Sequence, residues 1–386
     1  MTAGATRPSV LGVEALAAAA RDRAGVPPDT PLRFLDSLGV LTAALEAEAG
    51  LTGPGARAVG AALTGALVTQ LRVAGAYAEH PEIAAVPVHR PVFVIGLLRT
   101  GSTLVHNLLG LHPGMLAPAL WELMNPACSR DPAEQARLAR AAQDYVEEYY
   151  KVAPRLPAIH FLHARRPDEC HRLTGNAFRS MVYPMRYRVP SYGAWLAGQD
   201  LAGAYAFHRE QLRAILWRRD GGRFVGKDPF HLWSLGALHS AYPDARYVHL
   251  HRDPAQTVPS TASLCAALRV ARSDRLDPAE IGRQWLAEID RGLSLAAAAR
   301  SGPLAGAPVL DVRYRDLVAD PIRALGAVLD FLGEPMTGVA ERRMRAYLEA
   351  SDSHRPGGHR YTAEEFGLSG AALSRRYTDY RDTYRV

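Results

Sequence analysis

The spacing of apolar and polar positions divides the chain into two parts. Up to about residue 85, alanine- and leucine-rich stretches such as "VLGVEALAAAARDRAG" repeat with helical spacing, and breaks such as "VPPDTP" separate them. The pattern predicts a helical N-terminal segment over residues 1–88.

Beyond Pro91 the pattern changes to short β-branched runs that alternate with helical stretches. The runs lie at 92–95, 223–226, 245–251 and 307–314, and the helices that follow begin near Thr103, Phe230, Pro254 and Pro321. Strands that alternate with helices predict a three-layer α/β fold, in which a mainly parallel sheet has helices on both faces. The carboxyl ends of the strands then share one sheet edge, where such folds bind ligands.

We assign residues 89–386 to one domain that contains this alternation. Within it, residues 120–222 form a longer, less regular stretch rich in histidine, arginine and aromatic residues. Its position between two strands suits a largely helical insertion that covers a substrate, and plain helical packing is the alternative.

Composition adds one specific clue. The net charge is +6 without any block of like charges, so we expect no nucleic-acid partner. Of the 45 basic residues only Lys151 and Lys227 are lysines, and the rest are arginines. A lysine retained in such a chain is a candidate for a task that needs a compact ammonium group.

Other features favour a soluble, cytoplasmic protein. The first ten residues lack the pattern of a secretion signal. The most apolar stretch, 58–78, is interrupted by Gln70 and Arg72, so we expect no membrane span. The three cysteines are widely spaced and suggest neither a disulfide framework nor a thiolate zinc site.

The stretch "VFVIGLLRTGSTLVHNLL" carries the first chemical signal, because a strand leads through a glycine-containing loop into a helix. Gly96 and Gly101 let the backbone approach an anion closely. Ser102 and Thr103 add hydroxyl donors, and Arg99 adds a positive fork. The lysine of an ATP-binding loop is missing. The loop therefore predicts an anion site of a different kind.

Three further segments with candidate anion-binding residues are predicted near the same edge of the sheet. Lys227 directly follows the strand "RFVG". Arg252 follows the strand that ends at His251, and Ser260 lies about two turns into the next helix, so these two side chains could hold a second anion. Near the C-terminus, "SHRPGGHRY" is a basic, glycine-containing loop suited to closing over a phosphate.

These motifs together resemble the sulfotransferases that use 3′-phosphoadenosine 5′-phosphosulfate (PAPS). The resemblance rests on "VFVIGLLRTGSTLVHNLL", "KDPFHLWSL", "DARYVHLHRDPAQTVPS", "DVRYRDLVADP" and the basic "GGHRY" tail, in order along the chain. It is greatest for the bacterial branch with an N-terminal helical segment. The resemblance implies a P-loop-like sheet and transfer of a sulfuryl group from PAPS to a hydroxyl, with release of 3′-phosphoadenosine 5′-phosphate (PAP).

The resemblance also implies roles for individual residues. It places these residues on PAPS: Arg99, Thr100, Gly101, Ser102 and Thr103 at the 5′-phosphosulfate, Arg252 and Ser260 at the 3′-phosphate, and the segment from Arg355 to Arg360 closing over it. Lys227 matches the family lysine near the transferring sulfuryl group. Many relatives carry lysine where this chain has Arg99. A sulfonate donor needs no Mg²⁺ between β- and γ-phosphates, so we expect no metal.

The acceptor hydroxyl must also lose its proton. We predict Glu122 in "LAPALWELMNP" as the general base, with His231 and His171 as alternatives. Arg99 and Lys227 are expected to stabilise the negative charge that grows on the oxygen bridging sulfur and phosphorus.

Two other functions remain open from the sequence. An ATP-dependent small-molecule kinase would need a loop lysine and an acidic Mg²⁺ ligand, whereas "HLHRD" presents arginine at that strand end. A non-catalytic nucleotide-binding module would keep the loop without needing Glu122 and Lys227. The composition of 178–196 suggests a small apolar or aromatic acceptor. A homo-oligomer is compatible with the sequence, since the N-terminal helices could pack on their own domain or on a partner's.

Overall fold

A five-stranded parallel sheet organises the chain. The computed structural model describes residues 11–219, 221–353 and 361–386, without side chains for 351–353. The strands are β1 (Val92–Gly96), β2 (Met115–Leu116), β3 (Arg223–Lys227), β4 (Arg246–His251) and β5 (Val309–Arg313). Their order in the sheet is β2-β3-β1-β4-β5, and every neighbouring pair is parallel. The predicted parallel α/β sheet is confirmed.

Nineteen α-helices surround the sheet in the described part of the chain. They are α1 Val13–Ala24, α2 Leu35–Glu48, α3 Gly53–Glu79, α4 Ser102–Leu109, α5 Leu120–Met124, α6 Pro132–Val152, α7 Leu156–Ile159, α8 His171–Thr174, α9 Val182–Arg186, α10 Pro190–Ala197, α11 Ala202–Trp217, α12 Leu235–Ala241, α13 Pro254–Arg269, α14 Pro278–Ser301, α15 Tyr314–Ala319, α16 Pro321–Leu332, α17 Gly338–Ser353, α18 Gly370–Arg376 and α19 Thr378–Tyr384.

The central strand β1 is buried along its whole length, and its side chains alternate between two packed layers. Val92 and Val94 face a core shared with α4, α16 and α17. Phe93 faces the other way, with its ring 5.1 Å from that of Tyr242 and 6.3 Å from that of Tyr247. The sheet therefore lies between two helical layers.

The register of the sheet brings the predicted site residues to one edge. Val94 of β1 pairs with Lys227 of β3, and Gly96 pairs with Leu250 of β4. Because paired residues of parallel strands point to the same face, the Lys227 side chain lies on the α4 side of the sheet.

The N-terminal helices pack on the rest of the chain rather than standing apart. Arg33 pairs with Glu210 of α11 at 2.6 Å, and Arg179 pairs with Asp36 of α2 at 2.9 Å. By length and composition, α3 is apolar enough to cross a membrane, and 50% of its most apolar window is buried inside the protein. Core helices of soluble proteins share these properties.

Candidate active site

The loop between β1 and α4 requires its glycines. Gly96 has φ 144°, and a Cβ atom there would lie 2.6 Å from the Leu250 carbonyl oxygen. Gly101 has φ 86°, and a Cβ atom would lie 2.9 Å from Cδ2 of Leu317. Arg99 also has a positive φ of 67°, which is uncommon for a residue with a side chain and typical of functional loops.

The loop presents the amino end of α4 to the sheet edge. The Thr100 hydroxyl donates to the Leu97 carbonyl at 2.7 Å and fixes the turn. The Asn107 amide donates to the Thr103 carbonyl at 2.8 Å inside the helix. The first amide groups of a helix have no intrahelical acceptor, and the helix dipole favours negative charge there. This end of α4 can therefore bind an anionic oxygen.

Arginine side chains connect the loop to α13. Nη1 of Arg99 donates to the Ile159 carbonyl at 2.7 Å, and its Nε donates to the Ser260 hydroxyl oxygen at 3.3 Å. Nη1 of Arg252 donates to the Arg99 carbonyl at 2.8 Å, and its guanidinium lies 4.3 Å from the centre of the Tyr314 ring. The residues predicted to bind the 5′-phosphosulfate (Arg99) and the 3′-phosphate (Arg252 and Ser260) are thus in direct contact.

The Lys227 ammonium lies beside the loop, with its side chain 2% exposed. It donates to the Thr103 hydroxyl at 3.1 Å and to Oε1 of Glu169, with which it forms an ion pair. Burial opposes ionisation of Glu169, but Lys227 and the hydrogen bond from His171 outweigh it and hold the pKa of Glu169 well below its usual range.

His171 holds the other oxygen of Glu169. Its Nδ1 lies 3.1 Å from Oε2 of Glu169, and its Nε2 lies 3.4 Å from Nη2 of Arg186. Because a guanidinium can only donate, the network assigns the proton to Nδ1 and the free electron pair to Nε2. Burial lowers the pKa of His171 to about 4, so this ring is neutral at pH 7.

A second buried carboxyl group completes the cluster. Asp228 follows Lys227, and one of its oxygens lies within 4.8 Å of ligand atoms on both Glu169 and His171. Its Oδ1 accepts the Phe230 amide at 3.0 Å. Burial and the nearby Glu169 charge raise the pKa of Asp228 well above its usual range. The cluster therefore contains one ionised carboxylate paired with lysine and one carboxyl that favours its proton.

A cavity of 220 Å³ opens beside Lys227. Its lining includes Arg99 and Thr103 from the loop, Lys227 from the end of β3, and the segment 159–163. Cationic side chains, hydroxyl groups and a helix amino end thus meet in one recess, which suits an anionic donor and the displacement of a group from it.

A model of the sulfotransferase family matches residues 91–338, which is more than half of the chain. The chain belongs to the sulfotransferase family. It is therefore an enzyme, and its parallel sheet corresponds to the P-loop-like sheet of that fold.

Two curated sulfotransferases support this assignment. Omega-hydroxy-beta-dihydromenaquinone-9 sulfotransferase Stf3 from Mycobacterium tuberculosis (strain CDC 1551 / Oshkosh) is 25% identical over 299 residues, which cover 71% of each chain. The protein of the same name from Mycobacterium bovis matches equally.

Solved structures of mycobacterial sulfotransferases have the same fold. Sulfotransferase STF1 from Mycobacterium tuberculosis H37Rv superposes with a TM-score of 0.84 at 31% identity, over 97% of this chain and 100% of that one. STF9 from Mycobacterium avium gives a TM-score of 0.84 at 23% identity over 98% of each chain, which shows the fold.

The contacts of Glu122 in this sulfotransferase are with Ala119 and Arg219 rather than with Lys227. Glu122 lies at the start of α5, where its Oε2 accepts the Ala119 amide at 2.9 Å. Arg219 donates from Nε to Oε1 of Glu122 at 2.9 Å and from Nη2 to Oε2 at 2.5 Å. Glu122 lines a different cavity, together with Arg219. Its contacts are those of a helix-capping and ion-paired residue.

His231 lies in the apolar layer on the opposite side of the sheet from Lys227. Its ring packs edge-on against Phe93 at 5.4 Å, and its Nδ1 lies 2.8 Å from the Tyr205 hydroxyl. It belongs to a short 3₁₀-helix, Pro229–Ser234, which the Asp228 side chain caps and which α12 follows, where the sequence predicted a helix from about Phe230. The predicted residues Arg355 and Arg360 lie outside the described residues.

Glu169 is the acidic residue that the sequence reasoning did not select. The signal was available in "RPDECHR", where an acidic residue stands two positions before a histidine that was already a candidate base. Its proximity to Lys227 depends on the Cys170 amide, which donates to the Lys227 carbonyl at 2.9 Å. Such a contact between distant segments leaves no periodic pattern in the sequence.

Proposed function

We propose that this sulfotransferase moves a sulfuryl group from PAPS to a hydroxyl of a small apolar or aromatic acceptor and releases PAP. The observation that carries the proposal is the position of the Lys227 ammonium between Thr103 of the anion-binding loop and the Glu169 carboxylate. A cation for the leaving oxygen and a base for the attacking hydroxyl are thereby neighbours.

The residues around the loop fit the donor. The loop amides and the side chains of Ser102 and Thr103 would hold the 5′-phosphosulfate, with Thr100 and Gly101 shaping the turn. Arg252 and Ser260 would hold the 3′-phosphate, and Arg355 and Arg360 would close over it. The buried ammonium of Lys227 and the partly buried guanidinium of Arg99 support this assignment, because charges taken out of water are stable chiefly beside anions.

The transfer would proceed by in-line displacement at sulfur. The acceptor oxygen forms a bond to sulfur while the bond between sulfur and the bridging oxygen breaks, and PAP departs with that electron pair. Lys227 and Arg99 would stabilise the charge that develops on the bridging oxygen. None of these steps needs a metal ion, so we expect activity in the presence of a chelator.

The acceptor proton would pass to Glu169, the base that the geometry favours over Glu122. The charge of Lys227 keeps Glu169 weakly basic before the donor binds. A bound phosphosulfate would share the Lys227 ammonium, which raises the proton affinity of Glu169 when the acceptor must be deprotonated. His171 would keep the Glu169 carboxylate oriented through its Nδ1 proton.

The relatives support an apolar acceptor. Stf3 carries omega-hydroxy-beta-dihydromenaquinone-9 in its name, which indicates a hydroxyl on an apolar compound. We extend to this chain the general class, a hydroxyl on a mainly apolar or aromatic body. We also propose a cytoplasmic enzyme with an N-terminal helical segment (1–88) and a catalytic domain (89–386), whose insertion 120–222 covers the acceptor, and which can form homo-oligomers.

Transfer of label from [³⁵S]PAPS to 2-naphthol and to farnesol, with EDTA present, tests the proposal. We expect a labelled sulfate ester and an equal amount of PAP with the wild-type enzyme, and neither with Lys227→Met. Label transfer from [γ-³²P]ATP in Mg²⁺, or none from PAPS to either alcohol, would contradict it.

A further inference from the structure

Arginine and tyrosine side chains converge beside His171, on the side away from Lys227. Arg186 lies 3.4 Å from the ring of His171. Arg272 donates to the Tyr149 hydroxyl at 3.2 Å, and its guanidinium lies 4.6 Å from the Tyr149 ring centre and 5.9 Å from that of Tyr187. Both arginine residues are partly exposed.

The two guanidinium groups lack acidic partners among the residues that the structure describes. The hydrogen bonds that their side chains make go to the His171 ring and to the Tyr149 hydroxyl. Nearby arginines differ: Arg172 pairs with Asp168 at 2.9 Å, and Arg188 pairs with Glu280 at 2.8 Å. A partly buried guanidinium without a counter-charge is stabilised by a bound anion.

Tyr145 lies close to the same group of arginine side chains. It lies on α6, with its ring centre 6.0 Å from that of Tyr149. Burial works to raise its pKa, yet the charges of Arg172, Arg186 and Arg272 outweigh burial and lower the pKa of Tyr145 to about 8. A potential that favours phenolate also favours the carboxylate of a ligand.

We propose that Arg186 and Arg272, with the tyrosines around them, bind an acidic group of the acceptor, which is therefore a hydroxyl compound with an apolar or aromatic body and a carboxylate. The inference rests on the proposed function, because it assigns the two ends of one acceptor to the two sides of His171. The hydroxyl end would lie at Glu169. The acidic end would lie beyond His171, where guanidinium forks can bind a carboxylate bidentately and tyrosine rings can contact the body.

Two probes of nearly equal shape test this site: 3-(4-hydroxyphenyl)propanoate, which carries a carboxylate, and 4-propylphenol, which carries a methyl group there. The dissociation constant of each is measured by calorimetry on the full chain saturated with PAP. We expect the carboxylate to bind about tenfold or more tightly than the neutral phenol, as a charge-assisted contact in a partly buried site predicts.

The variant Arg186→Met/Arg272→Met should reduce that ratio to near one without changing the affinity for PAP. Arg186→Gln alone, which leaves Arg272 packed on Tyr149, should lower the ratio part-way and serves if the double variant fails to fold. Arg188→Met is the matched control, since Arg188 already pairs with Glu280, and it should keep the preference.

The outcomes separate the two claims. A wild-type protein that binds PAP but binds both probes equally, or neither, overturns the acidic-acceptor inference and leaves the sulfotransferase proposal standing. The inference is also overturned if the double variant retains the preference for the carboxylate. Failure to bind PAP at all would instead contradict the proposed function.

Discussion

Lys227 is one of two lysines in a chain whose other basic residues are arginines. Its ammonium lies between Thr103 and Glu169 with the side chain 2% exposed, and such an enclosed place suits a compact ammonium better than a larger planar guanidinium. We expect Lys227→Arg to bind PAP and to lose at least about a hundredfold in the rate of transfer. Steady-state assays with PAPS check this. Lys151→Arg is the control, because Lys151 is 69% exposed, and it should behave as wild type.

Replacing each glutamate with glutamine tests which of Glu169 and Glu122 is the general base. Glu169→Gln removes the proposed base, so we expect the transfer rate to fall by about 10²- to 10⁴-fold with PAP binding intact. Glu122→Gln loses the ion pair with Arg219 and should lower the melting temperature while leaving the rate essentially unchanged. A large loss of rate in Glu122→Gln, with Glu169→Gln still active, would restore Glu122 as the base.

Sequence reasoning selected candidate site residues whose chemistry is unusual in their own neighbourhood. Lys227 stood out by rarity, and the loop stood out by its glycines after an apolar strand. Glu169 did not, because its importance comes from the approach of residues 168–171 to the end of β3. Glu122 was predicted from its position along the chain after the anion-binding loop. That position does not show that the Ala119 amide and Arg219 bind its carboxylate.

At the scale of the elements, the turn into α4 depends on backbone conformation. Gly101→Ala places a methyl group 2.9 Å from Leu317 at a positive φ, so we expect a shifted loop and weaker PAP binding. Calorimetric titration with PAP measures the loss. The control Gly65→Ala lies inside α3 with no atom within 4 Å, and it should raise stability by roughly 0.5–1 kcal/mol. Equal PAP affinity in both variants would contradict this role of the turn.

Four of the five strands were predictable because each is a short run that contains at least one β-branched residue; β1, β3 and β4 are mostly buried, and β5 is partly exposed. β2 was missed, since Met115 and Leu116 are two residues without any periodicity. The sheet order was not predictable from pattern either. The order depends on how the helical connections between strands pack on the sheet. β2 and β3 are neighbours in the sheet, but the long insertion separates them in the sequence, so their pairing leaves no local pattern.

At the scale of the whole molecule, buried neutral histidines make stability depend on pH. Burial lowers the pKa of His106 and His171 to about 4 and that of His208 to about 3, from 6.5 in the unfolded chain. Their contribution is complete above pH 6.5 and is lost as the pH falls below it, because only the unfolded chain then binds these protons. The raised pKa of the buried Asp228 carboxyl has the opposite effect, because the folded protein then binds a proton more readily than the unfolded chain as the pH falls. This gain in stability offsets the loss from one histidine.

We therefore expect the free energy of unfolding in urea to fall between pH 6.5 and pH 5, by about 1.4 kcal/mol per pH unit for each uncompensated histidine. His208→Gln should make this slope shallower, since His208 packs near Phe93 on the opposite side of the sheet from Lys227 and bonds the Tyr242 hydroxyl. A free energy of unfolding that stays constant from pH 7.5 to pH 5 would contradict the neutral, buried state of these rings.

The most direct test of the account is thermal unfolding of the protein with PAP, and separately with Mg²⁺ and ATP. A ligand at a hundred times its dissociation constant stabilises the folded state by about 2.7 kcal/mol. We predict a rise in melting temperature with PAP alone, and no rise in Arg252→Ala, whose guanidinium would hold the 3′-phosphate. No response to PAP, or a larger response to Mg²⁺ and ATP, would contradict the assignment of PAPS as the donor.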